Sequence, residues 1–219
     1  MSSGFSEPLQ QVDGVFVRWR GRKVVYFGGC DYLRLSSHRK MIRALSSTAR
    51  KYGVSVAASR RTTGNHALYE QLEAATARFF AVEKAIFVSN GYLTNIVVAQ
   101  GLRGSIDRVF IDDQAHSSLR DAAVFLDCPQ TEFAHRDPLD LWEKMRECSP
   151  QTSIAVLTDG MFANDGSIAP LLAYRRVGPR VLLWVDDAHA AGILGRQGRG
   201  TVEFEQIDRR NVMQTVTFS

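Results

Sequence analysis

The chain has 219 residues, enough for one sizeable domain and an appendage, and its 45% apolar and 23% charged residues are ordinary for a soluble globular protein. A formal net charge of +4 is modest, and the basic clusters Arg18–Lys23 and Arg60-Arg61 are too short to argue for nucleic acid; they fit solvated turns or contact with a phosphorylated substrate. Residues 1–8 are small and polar, which argues against a secretory signal, no apolar run reaches membrane-spanning length, and the odd set Cys30, Cys128 and Cys148 reads as reduced thiols in the cytoplasm.

Taken in order, Gly14–Tyr26 alternates apolar and basic residues around Arg20-Gly21 and predicts a hairpin. The segment FGGCDYLRLS, Phe27–Ser36, predicts a loop. Ser37 is placed to cap a helix from His38 to about Tyr52, with Met41, Ile42, Leu45 and Ala49 on its apolar face and Gly53 ending it. A small-residue loop, Val54–Asn65, leads to a second amphipathic helix marked by Leu68, Leu72, Ala75 and Phe79. Strands and helices then alternate. The strands are expected at Ala85–Ser89, Val109–Asp112, Thr131–Ala134, Ser153–Thr158, Val181–Val185 and Val212–Phe218. The helices are expected from Gly91 to about Leu102, over Ser117–Phe125, over Pro138–Glu147 and around Leu171–Val177. That alternation predicts an α/β fold, a mostly parallel sheet with helices on both faces. The expected division is an N-terminal hairpin and helix segment, 1–52, followed by a larger domain, 53–219.

Polar residues recur where these strands stop: Ser89-Asn90-Gly91-Tyr92, Asp112 to His116, Thr158-Asp159-Gly160, Asp186 to His189 and Thr217-Phe218-Ser219. Open α/β sheets bind ligands at the carboxyl ends of their strands, so five such clusters on one edge predict a site. Singly, each has a plainer reading: Asp186 as a cap, His116 as a helix-entry residue ahead of a capping Ser117, Gly91 as a turn, Thr217 as a strand residue. His38, His66 and His135 read as surface or structural. There is no G-x-G-x-x-G; Gly195 and Gly200 have the Walker spacing, but Thr201 stands where lysine is needed. No cluster has metal-ligand spacing, and a hydrolase triad of Ser117, His189 and Asp159 lacks the G-x-S-x-G elbow.

The segments SNGYLTN, DDQAHSSLRDAA, TDGMFANDGSIAPL and VDDAHAAGILGRQGRG resemble the α-oxoamine synthase family, over about Phe27–Ser219. The resemblance implies an aspartate-aminotransferase-like, fold type I transferase that depends on pyridoxal phosphate. It matches Asp186 to the aspartate that pairs with the pyridine nitrogen and His189 to the histidine on the ring's phenolic oxygen. His116 corresponds to the histidine stacked on the ring. Asn90, Gly91 and Tyr92 correspond to the helix entry that holds the phosphate, with Thr217 adding a hydroxyl. Asp159 stands where the family often has glutamate, near the substrate. The catalytic set so implied is His116, Asp186 and His189; the cofactor set adds Asn90, Gly91, Tyr92, Asp159 and Thr217, with no metal.

The chain departs from the family at Cys30, Ala57-Ala58, Tyr69, Ala163 and Ala190-Ala191, where asparagine, a glycine pair, histidine, serine and Gly-Thr are usual, and an N-terminal substrate arginine is absent from 1–10. Alanine for glycine narrows a pocket, so the fold and cofactor are expected to survive while the substrate is left open. The implied activity is an acyltransferase that condenses an amino acid with an acyl-CoA thioester to give an α-amino ketone, working as a cytoplasmic homodimer without nucleic acid or a membrane span. The alternatives are an aminotransferase or other pyridoxal-phosphate enzyme on the same fold, and a non-catalytic partner subunit. The family's Schiff-base lysine falls three positions after Thr217, directly after Ser219, so the expectation is that these residues are part of a longer chain and inactive alone.

Overall fold

The computed structural model describes residues 7–11, 13–176, 178 and 181–218, which form two compact units, 1–66 and 67–219. Ser219 and Val177, both named in the expectations above, lie outside the described residues.

In the first unit, strands β1 (Gln10–Gln11), β2 (Phe16–Trp19) and β3 (Arg22–Val25) form an antiparallel sheet in that order. The expected hairpin is there: Arg20 and Gly21 both take positive φ, 49° and 75°, as a type I′ turn between right-twisting strands requires. Helix α1 (Arg39–Tyr52) also forms, but His38, not Ser37, caps it, its side chain accepting from Lys40 N–H at 3.3 Å. None of its residues is buried, and Met41, Ile42 and Leu45 are all exposed. The amphipathic pattern is real; nothing among the described residues covers it.

The second unit holds a five-stranded parallel sheet in the order β5-β4-β6-β7-β8: β4 (Arg108–Asp112), β5 (Gln130–Phe133), β6 (Ile154–Asp159), β7 (Leu182–Asp186) and β8 (Val212–Thr215). The central strands read as continuous apolar runs because both sheet faces are covered. Successive side chains on a strand point to opposite faces. So Phe110, Val156, Leu183 and Val185 pack in one core with Leu141, Leu171 and Tyr174, from α5 (Pro138–Met145) and α6 (Leu171–Arg175), and with Val202 from α7 (Thr201–Phe204). Val109, Ile111, Ala155, Leu157 and Trp184 pack in the other, with Ala99 from α3 (Gly91–Leu102) and Leu119, Ala122 and Ala123 from α4 (Ser117–Phe125).

Three expectations are corrected. Ala85–Ser89 is not a strand: no ladder partner lies beside it among the described residues, and Phe87 N–H bonds Glu73 Oε1 at 3.0 Å instead. The β8 ladder stops at Thr215, opposite Asp186, so Thr217 lies past the strand end. In α2 (Ala67–Phe80) the buried residues are Ala77 and Phe80, whereas Leu72 and Phe79 are exposed; the helix carries two apolar stripes, and packing selected the second.

The turn after β7 is anchored from inside by Asp187, which is fully buried. Its Oδ2 accepts from Thr201 N–H at 2.9 Å and from Gln214 Nε2 at 2.5 Å, tying the 187–201 loop to α7 and β8. Its Oδ1 lies so close to Gly160 that a Cβ there would sit 1.8 Å from it, which explains glycine after β6. Oδ1 and Thr201 Oγ1 are both buried without a hydrogen-bond partner. Burial pushes the Asp187 carboxyl up to about 6, against the donors of Thr201 and Gln214. A raised carboxyl contributes stability while protonated and loses it as pH rises from its unfolded value through about 6. Asp187→Asn keeps the acceptor and carries no charge. The stability of this variant relative to the parent is therefore expected to increase between about pH 4 and pH 7, by on the order of 3 kcal/mol, in paired denaturant titrations. A gap that does not change with pH would show that Asp187 is not a costly buried charge.

Candidate functional site

The sheet reverses its winding between β4 and β6: the chain leaves β4 toward β5 and returns on the other side to form β6. Such a switch point opens a crevice at the carboxyl ends of the strands. Three of the residues anticipated from sequence border it. His116 follows β4, Asp159 ends β6 and Asp186 ends β7 beside it, in register with Asp159. The backbone N–H of His116 donates to Asp159 Oδ1 at 3.1 Å across the crevice.

Asp186 is half-buried. Its Oδ1 accepts from Ala188 N–H at 3.1 Å and its Oδ2 from Asn95 Nδ2 at 2.7 Å, so the carboxylate is fixed from two sides and still has lone pairs for a cationic N–H. Asp159 is buried, and that burial pushes its carboxyl up to about 7; the His116 N–H pulls it down, and the neighbouring Asp186 and Asp112 carboxylates push it further up. The pair therefore presents one well-held carboxylate next to a group that gains its proton near neutrality.

His116 is the N-cap of α4, accepting at Nδ1 from Ser118 N–H at 3.2 Å. The plainer reading thus holds as far as geometry goes, with the imidazole rather than Ser117 as the cap. Its ring stands edge-on to Tyr92, with centroids 6.5 Å apart, and Tyr92 is tied to α4 by its hydroxyl, which donates to Asp121.

At the far end of the crevice Asn90 caps α3, its Oδ1 accepting from Leu93 N–H at 2.9 Å. Its side chain is thus occupied by the helix. The N–H groups of Gly91 and Tyr92 make no hydrogen bond among the described residues. A Cβ at Gly91 would lie 3.3 Å from Thr217 Cβ and Oγ1. A twelve-residue helix N-terminus, two unused N–H groups and a hydroxyl converge there, which is the chemistry of a phosphate cradle. His189 is half-buried in the turn after β7, three positions beyond Asp186. The parts fit pyridoxal phosphate: an anion cradle at one end, a fixed carboxylate at the other, and an imidazole along the crevice wall.

Asn95 was not anticipated. It is fully buried in α3 and touches Asp186 directly. The only sequence signal was an amide on an otherwise apolar helix face, flanked by Ile96, Val98 and Ala99. Asp112, expected within a polar cluster of the site edge, is instead fully buried and structural, accepting from Gln114 N–H, Arg136 N–H and the His135 ring. His135, expected to be a surface or structural histidine, is half-buried with its Nδ1 2.9 Å from Asp112 Oδ1.

Among the described residues no helix is long and apolar enough to cross a membrane. Residues 22–219 match the family described as aminotransferase class I and II. The 8-amino-7-oxononanoate synthase of Trichlorobacter lovleyi is 37% identical over 206 residues, which are 93% of this chain and 52% of that protein. That of Marinobacter nauticus is 39% identical over 184 residues, 83% of this chain and 46% of that protein. Among solved structures, Sphingomonas wittichii serine palmitoyltransferase superposes with a TM-score of 0.85 at 26% identity, over 90% of this chain and 50% of that one. The 8-amino-7-oxononanoate synthase of Francisella tularensis gives 0.69 at 28% identity, over 84% and 51%. The chain spans about half the length of the curated relatives it matches. With a family match over nearly its whole length, the chain belongs to the aminotransferase class I and II family, and within it to the α-oxoamine synthases that the sequence motifs resemble.

Proposed function

We propose that these residues form the pyridoxal-phosphate-binding part of an acyltransferase that condenses an amino acid with an acyl-CoA thioester, releasing the free thiol, carbon dioxide from the amino acid's carboxylate, and an α-amino ketone. The observation that carries the reading is the placement, along one sheet edge, of the fixed Asp186 carboxylate, the His116 imidazole and the cradle of Gly91, Tyr92 and Thr217. Relatives named 8-amino-7-oxononanoate synthase support the reaction class.

Pyridoxal phosphate, when bound, supplies a pyridinium ring that draws electrons from the α-carbon of an amino acid. Asp186 would hold the proton on the ring nitrogen, since a carboxylate favours the charged form of a neighbouring base. The Gly91 and Tyr92 N–H groups and Thr217 Oγ1 would bind the phosphate, and Asn90 would serve by fixing the helix start. His116 would lie against the ring and His189 against its phenolic oxygen. Asp159 would face the substrate side, where its proton limits like-charge repulsion with Asp186.

A homodimer belongs to the same proposal. Helix α1 exposes Met41, Ile42 and Leu45 on one side, apolar surface that a second copy would cover. With Cys30, Cys128 and Cys148 all unpaired, a reducing compartment such as the cytoplasm is the proposed location.

The experiment is thiol release from acyl-CoA by the full-length protein with pyridoxal phosphate, with and without added amino acids, against amino transfer to a keto acid. Amino-acid-dependent thiol release is expected; keto-acid turnover alone would replace the acyltransferase reading with an aminotransferase. Asp186→Asn keeps the shape but cannot stabilise the pyridinium, and is expected to lower turnover about 100-fold or more while the far-ultraviolet spectrum is unchanged. Turnover within a few-fold of the parent would remove Asp186 from this role. In sedimentation the full-length protein is expected as a dimer; a cofactor-bound monomer would contradict that part.

A further inference from the structure

Asn95 makes four hydrogen bonds with no access to solvent. Trp184 Nε1–H and Thr215 Oγ1–H both donate to its Oδ1, at 3.2 and 2.9 Å. An indole N–H can only donate, so the atom it meets must be the amide oxygen, and the orientation of Asn95 is fixed. Its NH2 group then faces the other way and donates one proton to Asp186 Oδ2 at 2.7 Å and the other to Ser118 Oγ at 3.0 Å.

The consequence runs one bond further. Ser118 Oγ accepts from Asn95, so its own proton is directed to its other neighbour, His116 Nδ1, at 2.8 Å. Ser118 N–H points to the same nitrogen at 3.2 Å. A ring nitrogen that receives two donors carries no proton, so the ring proton sits on Nε2.

We infer that Asn95 is a positioning residue that sets two site groups at once: it orients the Asp186 carboxylate directly, and through Ser118 it holds His116 in the Nε2–H tautomer. Both groups lie on different elements, β7 and the entry to α4, and Asn95 in α3 is their common partner. Its own orientation is dictated by Trp184 and Thr215, two residues of the sheet core. The inference rests on the proposed cofactor site for its importance, but not for its geometry. A neutral imidazole with a defined tautomer presents a donor at Nε2 on every molecule, whereas a mixture would leave a fraction of the sites misarranged.

The test is the tautomer of His116, read from ring-nitrogen chemical shifts of the full-length, cofactor-free protein labelled with 15N-histidine, at a pH where the imidazole is neutral. In the parent the Nε2–H form is expected to dominate, roughly tenfold or more. Asn95→Asp keeps the acceptor toward Trp184 and Thr215 but turns the other side from a donor into an acceptor, so Ser118 redirects its proton and the Nδ1–H form is expected to rise. Ser118→Ala removes only the hydroxyl, and is expected to raise the same form even where Asn95→Asp fails to fold. With cofactor, Asn95→Asp is expected to lower turnover between about 10- and 100-fold, as loss of a supporting partner does, with little change in amino-acid KM. A dominant Nδ1–H tautomer in the parent, or a tautomer that neither variant moves, overturns the inference. If the tautomer behaves as expected and no cofactor binds, the inference stands and the proposed function falls.

Discussion

The site depends on how one strand ends. At the close of β7 two aspartates follow each other, and strand alternation sends them opposite ways. Asp187 goes inward, buried, and holds Thr201 and Gln214. Asp186 goes to the sheet edge and is held by Asn95 and Ala188. The inner carboxylate fixes where the chain turns, and the outer one inherits that position. A buried carboxylate is costly, and here its cost is offset only in part by two donors. That is the kind of expense a fold keeps where placement matters more than stability.

The same edge gathers negative charge. Asp112, Asp159 and Asp186 end the adjacent strands β4, β6 and β7. The molecule relieves the crowding differently at each. Asp112 is enclosed by two backbone N–H groups and the His135 ring. Asp159 has its carboxyl pushed up to about 7, mostly by burial. Asp186 is left with donors on both oxygens. Of the three, Asp186 alone is not buried, which is why the proposed function gives it the contact with the cofactor's ring nitrogen.

Much of this was legible in the sequence. The parallel sheet was, because strands buried on both faces are continuous apolar runs: Ile154–Asp159 is buried throughout, and its neighbours lose cover only at their ends. The candidate site edge was legible because strand ends carry polar clusters: four of the five follow strands β4, β6, β7 and β8, whereas Ser89–Tyr92 opens α3 with no strand before it. What failed were features decided by partners distant in sequence. Ala85–Ser89 has the composition of a strand, but a strand exists only beside another. Helix α2 offered two apolar stripes, and only packing distinguishes Ala77 and Phe80 from Leu72 and Phe79. Asn95 was missed for the same reason: an amide on a helix is unremarkable until Trp184, Thr215, Ser118 and Asp186 are seen to converge on it from three other elements and the site edge.

The central claim is that one crevice, between the α3 entry and the ends of β4, β6 and β7, receives pyridoxal phosphate in a single orientation. The direct measurement is a crystal structure of the full-length protein grown with that cofactor. The account predicts the phosphate within hydrogen-bond distance of the Gly91 and Tyr92 N–H groups and Thr217 Oγ1, and the ring nitrogen against the Asp186 carboxylate. A cofactor bound elsewhere, or turned so that Asp186 meets another part of it, would contradict the account.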